Sequence, residues 1–120
     1  MITLIGEPLS TNNLYRSHCK FGYPKVYMTK KGKDLKESYQ WEAKSQWKQE
    51  IISGEVEIAV KLHFKSKRTH DIDNYTKILL DALTGIIWED DKQIQKMTIS
   101  KYLSKENPRI EIETLPKTQL

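Results

Sequence analysis

From Glu55 to Phe64 the chain alternates, with Val56, Ile58, Val60, Leu62 and Phe64 on one side and Glu55, Glu57, Lys61 and His63 on the other. Successive side chains of a strand point to opposite faces, so this period of two predicts a half-buried β-strand of roughly 33 Å. Such a strand needs partners for its backbone and a cover for its apolar row. The flanking segments supply both. After Thr29, a suitable helix N-cap, Leu35, Tyr39, Ala43, Trp47 and Ile51 recur every four residues among Lys, Glu and Gln. That spacing predicts an amphipathic helix ending near Ser53-Gly54.

A second helix is expected after the basic turn Lys65–His70. Asp73 or Asn74 would cap it, Tyr75, Ile78, Leu79, Ala82 and Leu83 would form its apolar face, and Gly85 would stop it. Ile2 to Ile5 reads as a short strand closed by Gly6 and Pro8, and residues 9–28 as a long irregular segment. Two more strands, about Gln93–Leu103 and Arg109–Thr114, meet at a turn around Asn107-Pro108. The order β-α-β-α-β-β predicts an α+β fold, a mixed β-sheet with two packed helices. One domain over residues 1–115 suits the length, with 116–120 as a frayed tail.

Charge is unevenly placed. Residues 1–70 hold 13 Lys and Arg against 7 Asp and Glu, whereas residues 71–120 hold 7 against 9. A basic half joined to an acidic stretch suits a phosphate-backbone binder with a carboxylate metal site, although a solvated lysine-rich surface would look the same. With 38% hydrophobic and 30% charged residues the chain reads as globular rather than disordered. No apolar run approaches the ~20 residues of a membrane-spanning helix, and the first residues lack a signal-peptide pattern. Cys19 is the only cysteine, which excludes an internal disulfide and a cysteine-based zinc site. A cytoplasmic location is the expectation.

Asp71 and Asp73 stand two apart where the basic turn meets the second helix. In extended chain their Cα atoms would lie roughly 6.6 Å apart on one side. Two such carboxylates repel by roughly 4 kcal/mol at ~4 Å and an effective dielectric near 20, unless a proton or cation neutralises them. Oxygen ligands of this kind favour Mg²⁺ or Mn²⁺. Lys77, four residues on, would lie one turn up the helix and could contact a scissile phosphate. Asp90 and Asp91 would supply a third carboxylate if the chain returned to the helix start. On the residues alone a plainer reading stands beside this one: a helix cap with a solvated neighbour, and Lys77 as an i,i+4 salt-bridge partner.

The run Asp71-Ile72-Asp73-Asn74-Tyr75-Thr76-Lys77, followed by Asp81-Ala82-Leu83-Thr84 and Trp88-Glu89-Asp90-Asp91-Lys92-Gln93-Ile94, resembles the RusA family of Holliday junction resolvases. That family's core reads D-x-D-N-x-x-K, then D-A-L, then D-D-x-Q-V/I. Pro8-Leu9-Ser10-Thr11-Asn12 with Tyr15 is similar to its P-P-S-x-N signature, and Val26-Tyr27-Met28-Thr29 fits the extended piece that follows. The resemblance implies a small homodimeric endonuclease, common in phages and prophages, that binds four-way DNA junctions and places paired symmetric nicks with Mg²⁺ (or Mn²⁺) in DNA recombination and repair. It carries metal binding to Asp71, Asp73 and Asp91, with Asp90 as their neighbour, and a catalytic or phosphate-contacting role to Lys77. No organic cofactor and no membrane partner are implied. Asn12 and Asn74 would shape the site. Lys65, Lys67, Arg68 and His70, with Lys30 and Lys31, would run along DNA phosphates. Leu9 replaces the second proline of the signature, and His70 stands where relatives often place Arg, a phosphate contact that would depend on pH.

Tyr15, Tyr23 or Tyr27 could wedge into an opened junction, with core packing as the plainer role. Trp41 falls off the helical stripe and would meet either a partner chain or the flank of the core. Two other functions share these features: a non-catalytic branched-DNA-binding protein, and another D-x-D metal-dependent phosphoryl or glycosyl transferase. The absence of a Gly-rich phosphate loop argues against the latter.

Overall fold

The computed structural model describes residues 1–20, 22–66 and 71–116. Among these residues, six strands, β1 (Ile2–Ile5), β2 (Tyr15–Lys20), β3 (Tyr23–Met28), β4 (Val56–Phe64), β5 (Ile94–Leu103) and β6 (Arg109–Pro116), accompany two α-helices, α1 (Lys30–Gln46) and α2 (Lys77–Leu83). The alternating segment is β4. It is central in a four-stranded sheet of order β1-β6-β4-β5, antiparallel to β6 and parallel to β5. The parallel pair requires a crossover, and α2 provides it. The fold is therefore α+β with a mixed sheet and two helices, as the pattern predicts.

One face of the sheet is the core. Val56, Ile58, Val60, Leu62 and Phe64 are buried with Ile2, Leu4, Ile110 and Ile112 against Tyr39 and Ala43 of α1 and Ile78, Leu79, Ala82 and Leu83 of α2. Each Val, Leu, Ile or Phe among them contributes about 1.5–3 kcal/mol by leaving water. His63, on the opposite face, is nonetheless buried: Tyr102 stacks on it at 5.1 Å and Glu111 Oε1 lies 2.5 Å from its Nε2.

Three expectations need correction. Residues 15–28 form an antiparallel hairpin, β2–β3, whose turn includes Gly22 at φ +79°, a left-handed conformation that favours glycine. Helix α1 stops at Gln46: Trp47 is already extended (φ −83°, ψ 104°), and Trp47 and Ile52 reach the core from irregular chain beyond it. Pro116, expected in a frayed tail, is the last residue of β6 and pairs with Val56; the rest of that tail lies outside the described residues. Trp41 is 71% exposed, which leaves the core-flank role unfilled. No helix among the described residues is long and apolar enough to cross a membrane.

The start of α1 is wedged tightly into the fold. Thr29 caps it, its Oγ1 accepting from the Gly32 N–H at 3.1 Å, while the Thr29 N–H donates to the Leu14 carbonyl at 2.8 Å. A Cβ on Gly32 would stand 2.5 Å from that carbonyl oxygen and 2.6 Å from Met28 Cγ. Gly32→Ala should therefore destabilise the protein by about 1–3 kcal/mol despite alanine's better helix propensity. Thermal denaturation should show a melting point lower by several degrees; an unchanged or raised Tm would contradict the wedge.

Candidate active site

Asp71 enters a 3₁₀ turn, Ile72–Tyr75, that precedes α2. Tyr75 pins the turn: its ring, 8% exposed, meets Phe64 edge-on at 5.1 Å. The interposed turn changes the capping. Thr76, not Asp73 or Asn74, is the N-cap of α2, and no side-chain cap bond forms there or from Asp71. A cap needs its oxygen over the first free N–H groups of the helix, and one 3₁₀ turn moves Asp73 off that position. Asp71, Asp73 and Lys77 are all exposed. Among the described residues, neither Asp71 nor Asp73 spends its carboxylate on a hydrogen bond or ion pair, and Lys77 pairs with no carboxylate. The expected i,i+4 salt bridge from Asp73 to Lys77 is thus not formed.

Lys77 instead lies over an aromatic ring. Its Nζ stands 4.9 Å from the Tyr15 ring centroid, and the Tyr15 hydroxyl donates a short hydrogen bond to Asp81 Oδ2. Burial, then the Asp81 hydrogen bond and charge, push the Tyr15 phenol well above its ordinary range. Tyr15 is therefore held in the structure rather than free to wedge, whereas Tyr23 (77% exposed) and Tyr27 (49%) stand out from the hairpin.

The turn also binds the elements around it. Thr11 Oγ1 donates to the Asn74 carbonyl at 2.6 Å, linking a 3₁₀ turn at Thr11–Asn13 to the aspartates. That first turn leads through Leu14 to the start of α1, so Asn12, Asn74, Lys30 and Lys31 share one end of the molecule with Asp71 and Asp73. Lys65 is exposed there at the exit of β4, its N–H donating to Glu7 Oε2 at 3.1 Å. Lys67, Arg68 and His70 lie outside the described residues.

Glu7 is a neighbour that motif reading missed. Burial first, then the nearby charges of Asp71 and Glu7, raise the Tyr75 phenol. Nothing in the local pattern of Gly6-Glu7-Pro8 signals this; only the pairing of β1 in the sheet brings it there.

Asp90 and Asp91 are elsewhere. Asp90 caps a 3₁₀ turn, Asp91–Gln93, accepting from the Lys92 N–H at 2.9 Å while its own N–H donates to Gln93 Oε1 at 2.7 Å. The Lys92 N–H, then the Asp91 side chain and the Lys92 charge, hold the Asp90 carboxyl below its usual value. Asp91 is exposed. Gln93 Nε2 ties the turn to the carbonyls of Ile52 and Gly54, just before β4 begins. In the parallel register Ile94 pairs with Val56, and Leu103 with Phe64. Asp91 therefore lies by the start of β4, whereas Asp71, through Tyr75 on Phe64, lies by its end. Eight strand steps, about 26 Å, separate Val56 from Phe64. The return of Asp90–Asp91 to the start of α2 does not occur within the chain. Accordingly, no three acidic or imidazole groups among the described residues are grouped to hold a metal.

The family described as Endodeoxyribonuclease RusA matches residues 6–114, from the turn after β1 to the last residues of β6. The chain belongs to the RusA endodeoxyribonuclease family. The RusA family is one of Holliday junction resolvases, metal-dependent nucleases that hydrolyse DNA. The RusA match takes in Asp71, Asp73, Lys77, Asp90 and Asp91 together with Tyr15 and Asp81. A Bacillus subtilis (strain 168) relative, "Uncharacterized protein YqaN", is 45% identical over 42 residues; the match spans 35% of this chain and 29% of that protein.

Proposed function

We propose that this chain is a Holliday junction resolvase that works as a homodimer, using Mg²⁺ (or Mn²⁺) to place paired symmetric nicks in four-way junctions. One observation carries the reading. Asp71 and Asp73 are presented in solvent on a turn pinned by Tyr75, with neither carboxylate spent on capping or pairing among the described residues. A helix-cap role would have consumed one of them. Their oxygens suit a hard divalent cation, as does exposed Asp91. Asp90 is a poorer ligand, since one of its oxygens already holds the Lys92 N–H.

The separation of Asp91 from the other two gives the dimer a chemical purpose. A two-fold axis that sets Asp91 of one protomer beside Asp71 and Asp73 of its partner would complete two equivalent centres. Two centres are what two symmetric cuts require. The cation, when bound, would supply Lewis acidity and a water activated for attack on phosphorus. Asp71 and Asp73 would orient it, and Lys77 would set positive charge against the charge that develops on the phosphoryl oxygens.

DNA would lie across the end that carries Asn12, Asn74, Lys30, Lys31 and Lys65. Lys30 and Lys31 occupy the first turn of α1, where the helix dipole is already positive and no acidic residue offsets them. That placement is unfavourable in the free protein and favourable against phosphate. With Lys67, Arg68 and His70 on the adjoining segment, affinity would fall steeply with salt. Such an enzyme serves DNA recombination and repair in the cytoplasm of a bacterium or its phage.

The test uses end-labelled four-way junction and matched duplex DNA, each incubated with Mg²⁺ or with EDTA. Paired nicks near the branch point, on the junction and with metal only, are expected. Junction binding without nicking under any divalent metal would favour a non-catalytic branched-DNA-binding protein. Turnover of a nucleotide sugar without DNA cleavage would favour a D-x-D transferase.

A further inference from the structure

Lys77 and Asp81 stand four residues apart on α2, on one helix face at salt-bridge spacing. Nothing in the helix itself keeps them apart. Yet among the described residues they form no ion pair, and Tyr15 of strand β2 contacts both. Its hydroxyl donates to Asp81 Oδ2, and its ring face carries the Lys77 ammonium at 4.9 Å, inside the ~6 Å reach of a cation–π contact. The contact is specific in both directions: a phenylalanine could carry the ammonium but could not occupy the carboxylate.

We propose that Tyr15 is a positioning residue that keeps Lys77 from being captured by Asp81 and so leaves its ammonium available to a DNA phosphate. The proposal rests on the nuclease reading for its consequence in rate, but its geometry stands on its own. A lysine locked to a neighbouring carboxylate has its charge offset by that group and its donors directed away from an incoming anion. A lysine on an aromatic face keeps its full charge, and its outward N–H donors stay free. The ring also fixes where the ammonium waits, so less ordering remains when the phosphate arrives. Tyr15 belongs to the hairpin β2–β3, whose outer residues Tyr23, Val26 and Tyr27 are exposed, so the position of the hairpin and that of Lys77 are mechanically joined.

The discriminating variants are Tyr15→Phe, Tyr15→Phe with Asp81→Asn, and Tyr15→Leu. Tyr15→Phe removes the hydroxyl only, so Asp81 is freed and takes Lys77. Junction cleavage should slow about tenfold, in kcat with little change in KM, the scale of a displaced catalytic group. Adding Asp81→Asn removes the competing carboxylate and should restore most of the rate. Tyr15→Leu should be slow, and Asp81→Asn should not rescue it fully, because the ring is missing. A readout independent of cleavage accompanies these. By NMR the Hε protons of Lys77 should show an upfield ring-current shift in the wild type, lose it in Tyr15→Phe, and regain it in the double variant. A Lys77 resonance unchanged between wild type and Tyr15→Phe would overturn the proposal whether or not the protein nicks DNA. So would a double variant as slow as Tyr15→Phe. A wild type with the ring-current shift but no metal-dependent nicking would instead refute the nuclease reading and leave the positioning intact.

Discussion

Asp71→Asn, Asp73→Asn and Asp91→Asn should each abolish junction cleavage, by on the order of 10³-fold or more, the scale of removing one preorganised charge from a phosphoryl-transfer site. The amide keeps the size of the side chain but loses the charge that a divalent cation requires. The carboxylates of Asp71 and Asp73 are exposed and accept no hydrogen bond among the described residues, so the fold should not notice the change. Thermal stability should stay within about 0.5 kcal/mol of wild type, as for ordinary surface substitutions. Junction binding should persist, and at low salt should tighten, because a negative charge next to DNA has been removed. Asp90→Asn is the contrast. Its side-chain oxygen holds the Lys92 N–H, a cap that the asparagine amide oxygen can also make, so the turn should persist and cleavage should fall less than in Asp91→Asn. Unfolding of the Asp71 and Asp73 variants would return them to a structural role.

The parts of this molecule legible in advance were those with a strong local period. The alternation of β4, the Thr29 cap of α1 and the Gly85 stop after α2, with its φ of +90°, all survive. The hairpin β2–β3 was invisible because most of its described residues are exposed on both faces, which leaves no period of two to detect; Tyr15 and Met28, paired at its base, reach the core, and the partners of Tyr15, Lys77 and Asp81, are more than sixty residues away. The four-residue stripe overran α1 because Trp47 also reaches the core, but from extended chain, while Ile51, the last residue of the stripe, is exposed. His63 was placed on the correct face, yet its burial depends on Tyr102 and Glu111, contributed by β5 and β6. For the site, the motif located the aspartates and Lys77, but it carried no information on which end of the sheet each would occupy. That is decided by the parallel register of β4 and β5, a property of no single segment.

The second large effect concerns that register. If Asp71 and Asp73 of one protomer act with Asp91 of its partner, two inactive proteins should make one working centre. In a heterodimer of Asp73→Asn and Asp91→Asn, one composite site would carry both substitutions and the other would carry neither. If all three aspartates served the same ion within one chain, each site of that heterodimer would carry one substitution and both would be dead. The decisive measurement is therefore subunit mixing: the two variants, each alone inactive, are co-refolded in equal amounts and assayed on labelled four-way junction with Mg²⁺. A complementary heterodimer of intersubunit sites predicts recovered cleavage that approaches a quarter of wild type, half the molecules being heterodimers with one intact centre, and it predicts single nicks rather than paired ones. Cleavage that stays at the background of the separate variants, in a mixture shown to contain heterodimer, would contradict the account.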